Sequence, residues 1–168
     1  MTQITETERL YIREFKMQDA ESLSIILLNT EVMKYSFRKI HSIEDIESYI
    51  KDCLYNYKKN GFGQWAVLDK KSSKLIGICG LNAGFNQDNA ITHINYRFTV
   101  NSWGKGLASE AIKAVINYSK TVLKFKILYA LIEPINEKSV TLALKHSFYA
   151  EKETMYRERK LVVYKKVL

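Results

Sequence analysis

Residues 101–111 read Asn-Ser-Trp-Gly-Lys-Gly-Leu-Ala-Ser-Glu-Ala, set between a run patterned as a β-strand and the apolar positions of a helix. Gly104 and Gly106 permit the tight turn that brings the first free N–H groups of a helix to one point at its positive end, the chemistry of a phosphate cradle. An anionic cofactor is the first expectation. The same residues approximate a dinucleotide fingerprint, with Glu133 at the end of the next strand where a ribose-binding acid would sit. That fold carries its motif on the first strand and then repeats parallel units, whereas here the motif follows strands joined by short connections. Lys105 does not satisfy the phosphate-loop lysine pattern, because the upstream glycine spacing and the following residue are both wrong. Cys53 and Cys79 stand far apart with no second Cys or His at ligand spacing, so they read as small core hydrophobes and no metal is expected.

The elements that must position this loop are legible from periodicity. Residues 10–15 alternate as a half-buried strand. Ala20, Leu23, Ile26 and Leu27 lie on one helical face, and Ser42 caps a second helix whose face is Ile46, Tyr49, Ile50, Cys53, Leu54 and Tyr57. Gly61 and Gly63 punctuate. Residues 64–68, 74–82 and 90–100 then read as an antiparallel meander, with turns at 70–73 and 84–89. After the glycine loop, Ala108, Ala111, Ile112, Val115, Ile116, Tyr118 and Val122 mark a long helix packed on the sheet. Residues 126–132 form a continuous apolar strand, Asn136 caps a helix over residues 137–146, and strands near 149–155 and 161–167 complete the chain. No repeat or linker interrupts this β-α-α-β-β-β-α-β-α-β-β order, so one domain over residues 1–168 is expected.

Composition narrows the class. The chain has 168 residues, 46% of them hydrophobic, enough for one packed core. Its amino terminus lacks a basic region followed by an apolar block, and no run approaches the ~20 apolar residues of a membrane span. A soluble cytoplasmic protein is expected. The net charge of +8 favours anionic partners, but the 26 Lys and Arg are dispersed rather than massed, so nucleic acid is not indicated. Eleven tyrosines are compatible with a partly exposed interface, which leaves monomer and homodimer both open.

With these elements in order, residues 7–13, the loop at 103–111, the Pro134-Ile135-Asn136-Glu137-Lys138-Ser139 segment and the following Lys145-His146-Ser147-Phe148 together resemble the GNAT superfamily of N-acetyltransferases. The closer resemblance is to the branch that acetylates N-terminal amines of ribosomal proteins, and it covers nearly the whole chain. It implies an α/β fold: a mostly antiparallel twisted sheet of about seven strands with a splayed parallel pair, flanked by about four helices. It further implies acetyl-CoA as cosubstrate, held at its pyrophosphate by the backbone of Gly104, Lys105, Gly106, Leu107, Ala108 and Ser109 beside Asn101 and Trp103. Phe98, Thr99 and Val100 would align with the pantetheine amides like an added strand, Asn136 would bond the pantetheine arm, and Ser139 would sit near the sulfur.

Many superfamily members carry a tyrosine four residues beyond the serine as proton donor; that position here is Ala143, which makes Ser139 the better candidate. His93 falls where the family often has a carboxylate, and an imidazole with pKa near ~6.5 would be a serviceable base. Ser147 replaces the usual glycine at the helix exit, at a cost on the order of 1 kcal/mol if its backbone is left-handed. The acceptor cleft is expected between the two early helices and the loop at 84–89; Tyr96 and Trp103 read first as packing beside the glycines and second as lining of that cleft, and Tyr35, Phe37 and His41 read first as core or surface packing and second as its wall. The acceptor is expected to be a primary amine, either a protein amino terminus or a small molecule. A basic binding module that kept the fold without turnover is the alternative.

Overall fold

The computed structural model describes residues 2–85 and 88–168. It contains β1 (Gln3–Glu6), β2 (Leu10–Arg13), α1 (Ala20–Leu27), α2 (Ile43–Asn60), β3 (Gln64–Asp69), β4 (Leu75–Phe85), β5 (Asp88–Phe98), α3 (Leu107–Thr121), β6 (Ile127–Ile132), α4 (Glu137–Lys145), β7 (Tyr149–Tyr156) and β8 (Arg159–Val167). One eight-stranded sheet runs in the order β1-β2-β3-β4-β5-β6-β8-β7. Every neighbouring pair is antiparallel except β5 and β6, which are parallel and joined through α3.

The expected order is present with one strand added. β1 is four residues long at the sheet edge, and Ile4 alone packs it on the core, too little apolar signal for a periodicity to show. The expected turn at 84–89 is largely strand, because Phe85 already pairs with Asp88; its middle, Asn86 and Gln87, lies outside the described residues.

The sheet separates two cores. On one face, Leu107, Ala111, Ile112 and Val115 of α3 pack on Leu10, Ile12, Trp65, Val67, Ile94, Phe98 and Leu128, with Ala143 and Phe148 at the end of α4. Trp65 is 1% exposed and meets Tyr118 edge-on at 5.5 Å. On the other face, Leu23, Ile26 and Leu27 of α1 and Ile46, Tyr49, Ile50 and Cys53 of α2 cover Ala66, Leu75 and Ile78. The caps match the sequence: Ser42 accepts from the Asp45 amide, and Gly61 closes α2 at φ +76 with its amide on the Tyr57 carbonyl. Cys53 and Cys79 are buried free thiols, and burial pushes Cys53 up to about 12. No helix among the described residues is long and apolar enough to cross a membrane.

Candidate active site

The glycine loop is built as the sequence suggests. β5 ends at Phe98, a 3-10 turn spans Val100–Ser102, and Gly104 (φ +73) and Gly106 (φ +76) take the left-handed conformation that feeds α3. Residues 104–106 are exposed, and no amide of residues 104–109 donates to a protein oxygen among the described residues; the first bond back into the loop is from Glu110 N to Gly106 O at 3.0 Å. A patch of uncommitted N–H groups therefore faces solvent at the positive end of a 15-residue helix.

Arg9 fixes this bend from the far side of the sequence. Its Nη1 donates to the Lys105 carbonyl at 2.9 Å and its Nε to Glu110 Oε2 at 2.6 Å, while Thr7 Oγ1 donates to Glu110 Oε1. Burial pushes the Glu110 carboxyl up, but these bonds from Thr7 and Arg9 outweigh it and hold the group below its ordinary pKa. The one acid in the first turn of α3 is thus neutralised by Arg9, which removes a negative charge that would oppose an anion there. Trp103 donates from Nε1 to the Phe98 carbonyl at 2.9 Å, and Lys138 of α4 lies 4.6 Å from its ring centre. Ser109 Oγ meets His146 Nε2 at 2.9 Å, tying α3 to the end of α4.

Beside the loop the sheet opens. β6 pairs with β8 along its whole length, yet its register with β5 is the single pair His93 and Tyr129. Past that point no register pair joins them, and the unladdered stretch between residues 94–98 and 130–132 is the slot beside the loop. Residues 99 and 100 do not extend β5 as expected: Thr99 N bonds the Ile76 carbonyl and the chain turns away, so the slot-facing strand edge is that of residues 94–98.

Strand alternation gives each side of the slot its own chemistry. Ile94, Tyr96 and Phe98 point to the α3 and α4 side, where Asn136 caps α4 by accepting from the Ser139 amide at 3.4 Å. The buried Tyr96 hydroxyl faces Ser139 closely enough for the serine to favour its ionisation, but the pair falls short of hydrogen-bond geometry; burial dominates and pushes Tyr96 up to about 12. Ala143 is packed in the core, so on this face Tyr96, not α4, brings a phenol to the serine. Tyr96 and Trp103 thus pack on the glycine-loop side, the packing role that the sequence favours for them.

His93, Asn95 and Arg97 point to the α1 and α2 side. Gln64 Nε2 donates to Asn82 Oδ1 at 3.1 Å, and the Asn82 amide lies 3.3 Å from His93 Nε2. In this arrangement the imidazole proton sits on Nδ1, which is buried without a partner among the described residues, as is Gln64 Oε1 at the chain's other end. Turning both amides keeps both hydrogen bonds and moves the proton to Nε2, so the chain can serve either tautomer. Burial pushes His93 down to about 4, which makes it neutral at pH ~7.

The segment between α1 and α2 straps across this side. Ser36 receives Arg97 Nη2 at 3.1 Å, Tyr35 reaches the Ile135 carbonyl at 3.4 Å, and Phe37 packs edge-on against Tyr156 at 4.9 Å. Tyr35 and Phe37 are thus held in the strap by contacts with Ile135 and Tyr156, and the described contact of His41 is its amide on Asp45 in the α2 cap. Outside the strap, a depression of about 520 Å³ is bordered by Phe37, Arg38, Lys39, Tyr156 and Arg157. Glu133, the acid a dinucleotide site would need, is held by Arg159, whose Nε lies 2.9 Å from Oε2.

A mixed sheet split at one parallel pair, with a free-amide helix start at the split, defines an acyltransferase architecture. A family model for the acetyltransferase (GNAT) domain matches residues 9–148. The uncharacterized N-acetyltransferase p20 of Bacillus licheniformis is 33% identical over 156 residues, covering 90% of this chain and 84% of that protein. Spermidine N(1)-acetyltransferase of Escherichia coli (strain K12) is 26% identical over 152 residues, covering 86% and 75%. RimL, an alpha-N-protein acetyltransferase of a ribosomal protein solved in complex with coenzyme A, matches with a TM-score of 0.85 at 13% identity, covering 99% of this chain and 98% of that one. The chain belongs to the GNAT acetyltransferase family, and its fold and relatives make it an N-acetyltransferase.

The site also contains residues that strand and helix patterns alone do not assign: Arg9 with Glu110, the Gln64–Asn82 chain, and Arg97. For the last a signal existed, since His93, Asn95 and Arg97 place three polar residues on one face of a strand in the middle of a sheet.

Proposed function

We propose that this chain moves an acetyl group from acetyl-CoA to a neutral primary amine, the α-amine of a peptide or protein amino terminus or a small amine, by direct attack with both substrates bound. The observation that carries the reading is the set of uncommitted amides at residues 104–109, with residues 104–106 exposed, at the positive end of α3 and next to the slot. Those amides fit a pyrophosphate. The slot-facing backbone edge of residues 94–98 fits the extended pantetheine arm, and the Asn136 side-chain amide, with its oxygen committed to the cap, is left to donate to that arm.

Acetyl-CoA supplies an activated thioester; the protein's part is placement and proton handling. Ser139, backed by the Tyr96 hydroxyl, donates toward the sulfur as the C–S bond breaks. His93, on the opposite side, accepts the proton from the nitrogen after the C–N bond forms, when that nitrogen is far more acidic than the free ammonium. The relatives support the reaction class: one is named for acetylating spermidine, and RimL was solved with coenzyme A. The cytoplasm, where acetyl-CoA and amine acceptors are both available, is the proposed location. Calorimetry with acetyl-CoA, followed by thiol release against a panel of peptides and amines, tests the proposal. The folded protein should bind at micromolar concentration and turn over; absence of binding well above that range would defeat it.

A further inference from the structure

Arg97 is a guanidinium without a carboxylate. It donates from Nη1 to Asn95 Oδ1 at 2.7 Å and from Nη2 to Ser36 Oγ at 3.1 Å, both neutral oxygens, and no salt bridge reaches it among the described residues. A guanidinium cannot relieve its desolvation by shedding a proton at neutral pH, so an enclosed one calls for an anion. Beside it on α2, Tyr49 is 8% exposed, its hydroxyl has no partner among the described residues, and the Arg97 charge acts on that hydroxyl. The second guanidinium at Ser36, that of Arg159, donates to the Ser36 carbonyl at 3.4 Å, but its charge is already met by Glu133. Arg38, whose guanidinium lies 5.1 Å from the Tyr49 ring centre, is likewise met by Asp52, so around Ser36 and Tyr49 there are three guanidiniums and two carboxylates.

The Ser36 hydroxyl is spent, since it donates to the Arg38 carbonyl at 3.0 Å while accepting from Arg97. We infer that Arg97, with the Tyr49 hydroxyl, forms a subsite for a carboxylate carried by the acceptor, so that the preferred acceptor is an acidic peptide amino terminus and not a polyamine. This rests on the acetyltransferase reading above. His93 and Arg97 share a strand face four positions apart, about 13 Å between their Cα atoms at ~3.3 Å per residue. A free amino acid is too short to place its amine at one and its carboxylate at the other, whereas an acidic side chain at the second or third residue of an extended peptide spans the gap. A carboxylate accepts both guanidinium and hydroxyl hydrogens, whereas a polyamine would bring a second cation to Arg97.

The test compares two tripeptide amides, Ser-Ala-Glu and Ser-Ala-Gln, with spermidine as a third acceptor, by acetyl-CoA-dependent thiol release. The wild type should favour the Glu peptide over the Gln peptide by roughly ten- to hundredfold in kcat/KM, the scale of a hydrogen-bonded charge pair. Arg97→Gln, which keeps a side-chain amide for Asn95 or Ser36, should bring that ratio near one, and Arg97→Lys should retain part of it. Equal use of the two peptides by the wild type, an unchanged ratio in Arg97→Gln, or a preference for spermidine over both would each overturn the inference. Calorimetry of the same peptides with the CoA-saturated protein makes the comparison without chemistry. Absence of turnover then counts against the enzyme, and absence of Glu/Gln discrimination counts against the subsite.

Discussion

Replacing His93 by Gln separates two ways of removing the amine proton. With the imidazole pushed down to about 4, direct deprotonation of an α-ammonium of pKa ~8 is uphill by four pKa units, about 5 to 6 kcal/mol. Drawing on the amine already neutral at pH ~7 costs about one unit, roughly 1.4 kcal/mol. The second route costs less, so the proposed mechanism has the amine arrive neutral and His93 act after attack. In thiol-release assays with an α-amine peptide over pH ~5.5 to ~9.5, wild-type kcat/KM should rise about tenfold per pH unit up to the acceptor's own pKa, with no inflection near ~6.5. His93→Gln should lower the plateau on the order of a hundredfold and leave the inflection where it was. An inflection near ~6.5 that disappears in the variant would show an ordinary, solvated imidazole base and refute the reasoning. The same lowered pKa fixes the sign for stability: the imidazole's contribution is intact above ~6.5 and is lost as pH falls through that value toward about 4, by up to about 3 kcal/mol. His93→Gln should flatten that acid limb in urea titrations.

Three further outcomes follow from particular contacts. Ser147 sits at φ +61 where α4 ends, so Ser147→Gly should relieve about 1 kcal/mol of left-handed strain, less some unfolded-state entropy, and raise Tm by about 1 to 4 °C in a thermal melt. Tyr96→Phe removes a buried hydroxyl without a protein hydrogen bond and should leave Tm unchanged or higher while lowering kcat about tenfold; Ser139→Ala should cost about a hundredfold in kcat with little change in acetyl-CoA affinity. Equal kcat in Tyr96→Phe and wild type would remove Tyr96 from the relay. Arg9→Ala should weaken acetyl-CoA binding in calorimetry by exposing the Glu110 charge at the loop, and adding Glu110→Ala should restore part of it. The coupling should be about 1 kcal/mol or less because Arg9 is 46% exposed, and strict additivity of the two substitutions would argue against the clamp.

What the sequence discloses and what it withholds divide by range. The cap at Ser42, the exit at Gly61 and the bend at Gly104 and Gly106 are written in residues a few positions apart, and each is found where local rules put it. The α3 face is likewise a local 3.6-residue pattern. The strand β1 escapes because an edge strand with one packed side chain has no period to read. The end of β5 escapes because it is set by Thr99 bonding Ile76, a contact with another strand. Arg9 and Glu110 lie 101 residues apart, and the Tyr96 and Ser139 pair joins a strand to a helix across the slot. Such pairings are created by the sheet order, so only the side-chain types, and not the partnerships, are visible beforehand.

The charges at the site point the same way as the proton argument. Three acids around the proposed site are already engaged: Glu110 by Arg9, Glu133 by Arg159, and Asp52 by Arg38. What remains toward the loop is the positive end of α3, and toward the strap Arg97 with the neutral His93. With these three carboxylates committed and Arg97 adding positive charge, the proposed mechanism has the amine enter in its neutral form. Holding an amine neutral at pH ~7 costs roughly 1.4 kcal/mol for an α-amine but about 4 to 5 kcal/mol for a lysine-like amine of pKa ~10.4. On the proposed mechanism this cost discriminates against strongly basic amines before any contact with the acceptor's side chains, and the excess guanidinium at Arg97 adds to that discrimination by welcoming a nearby negative charge.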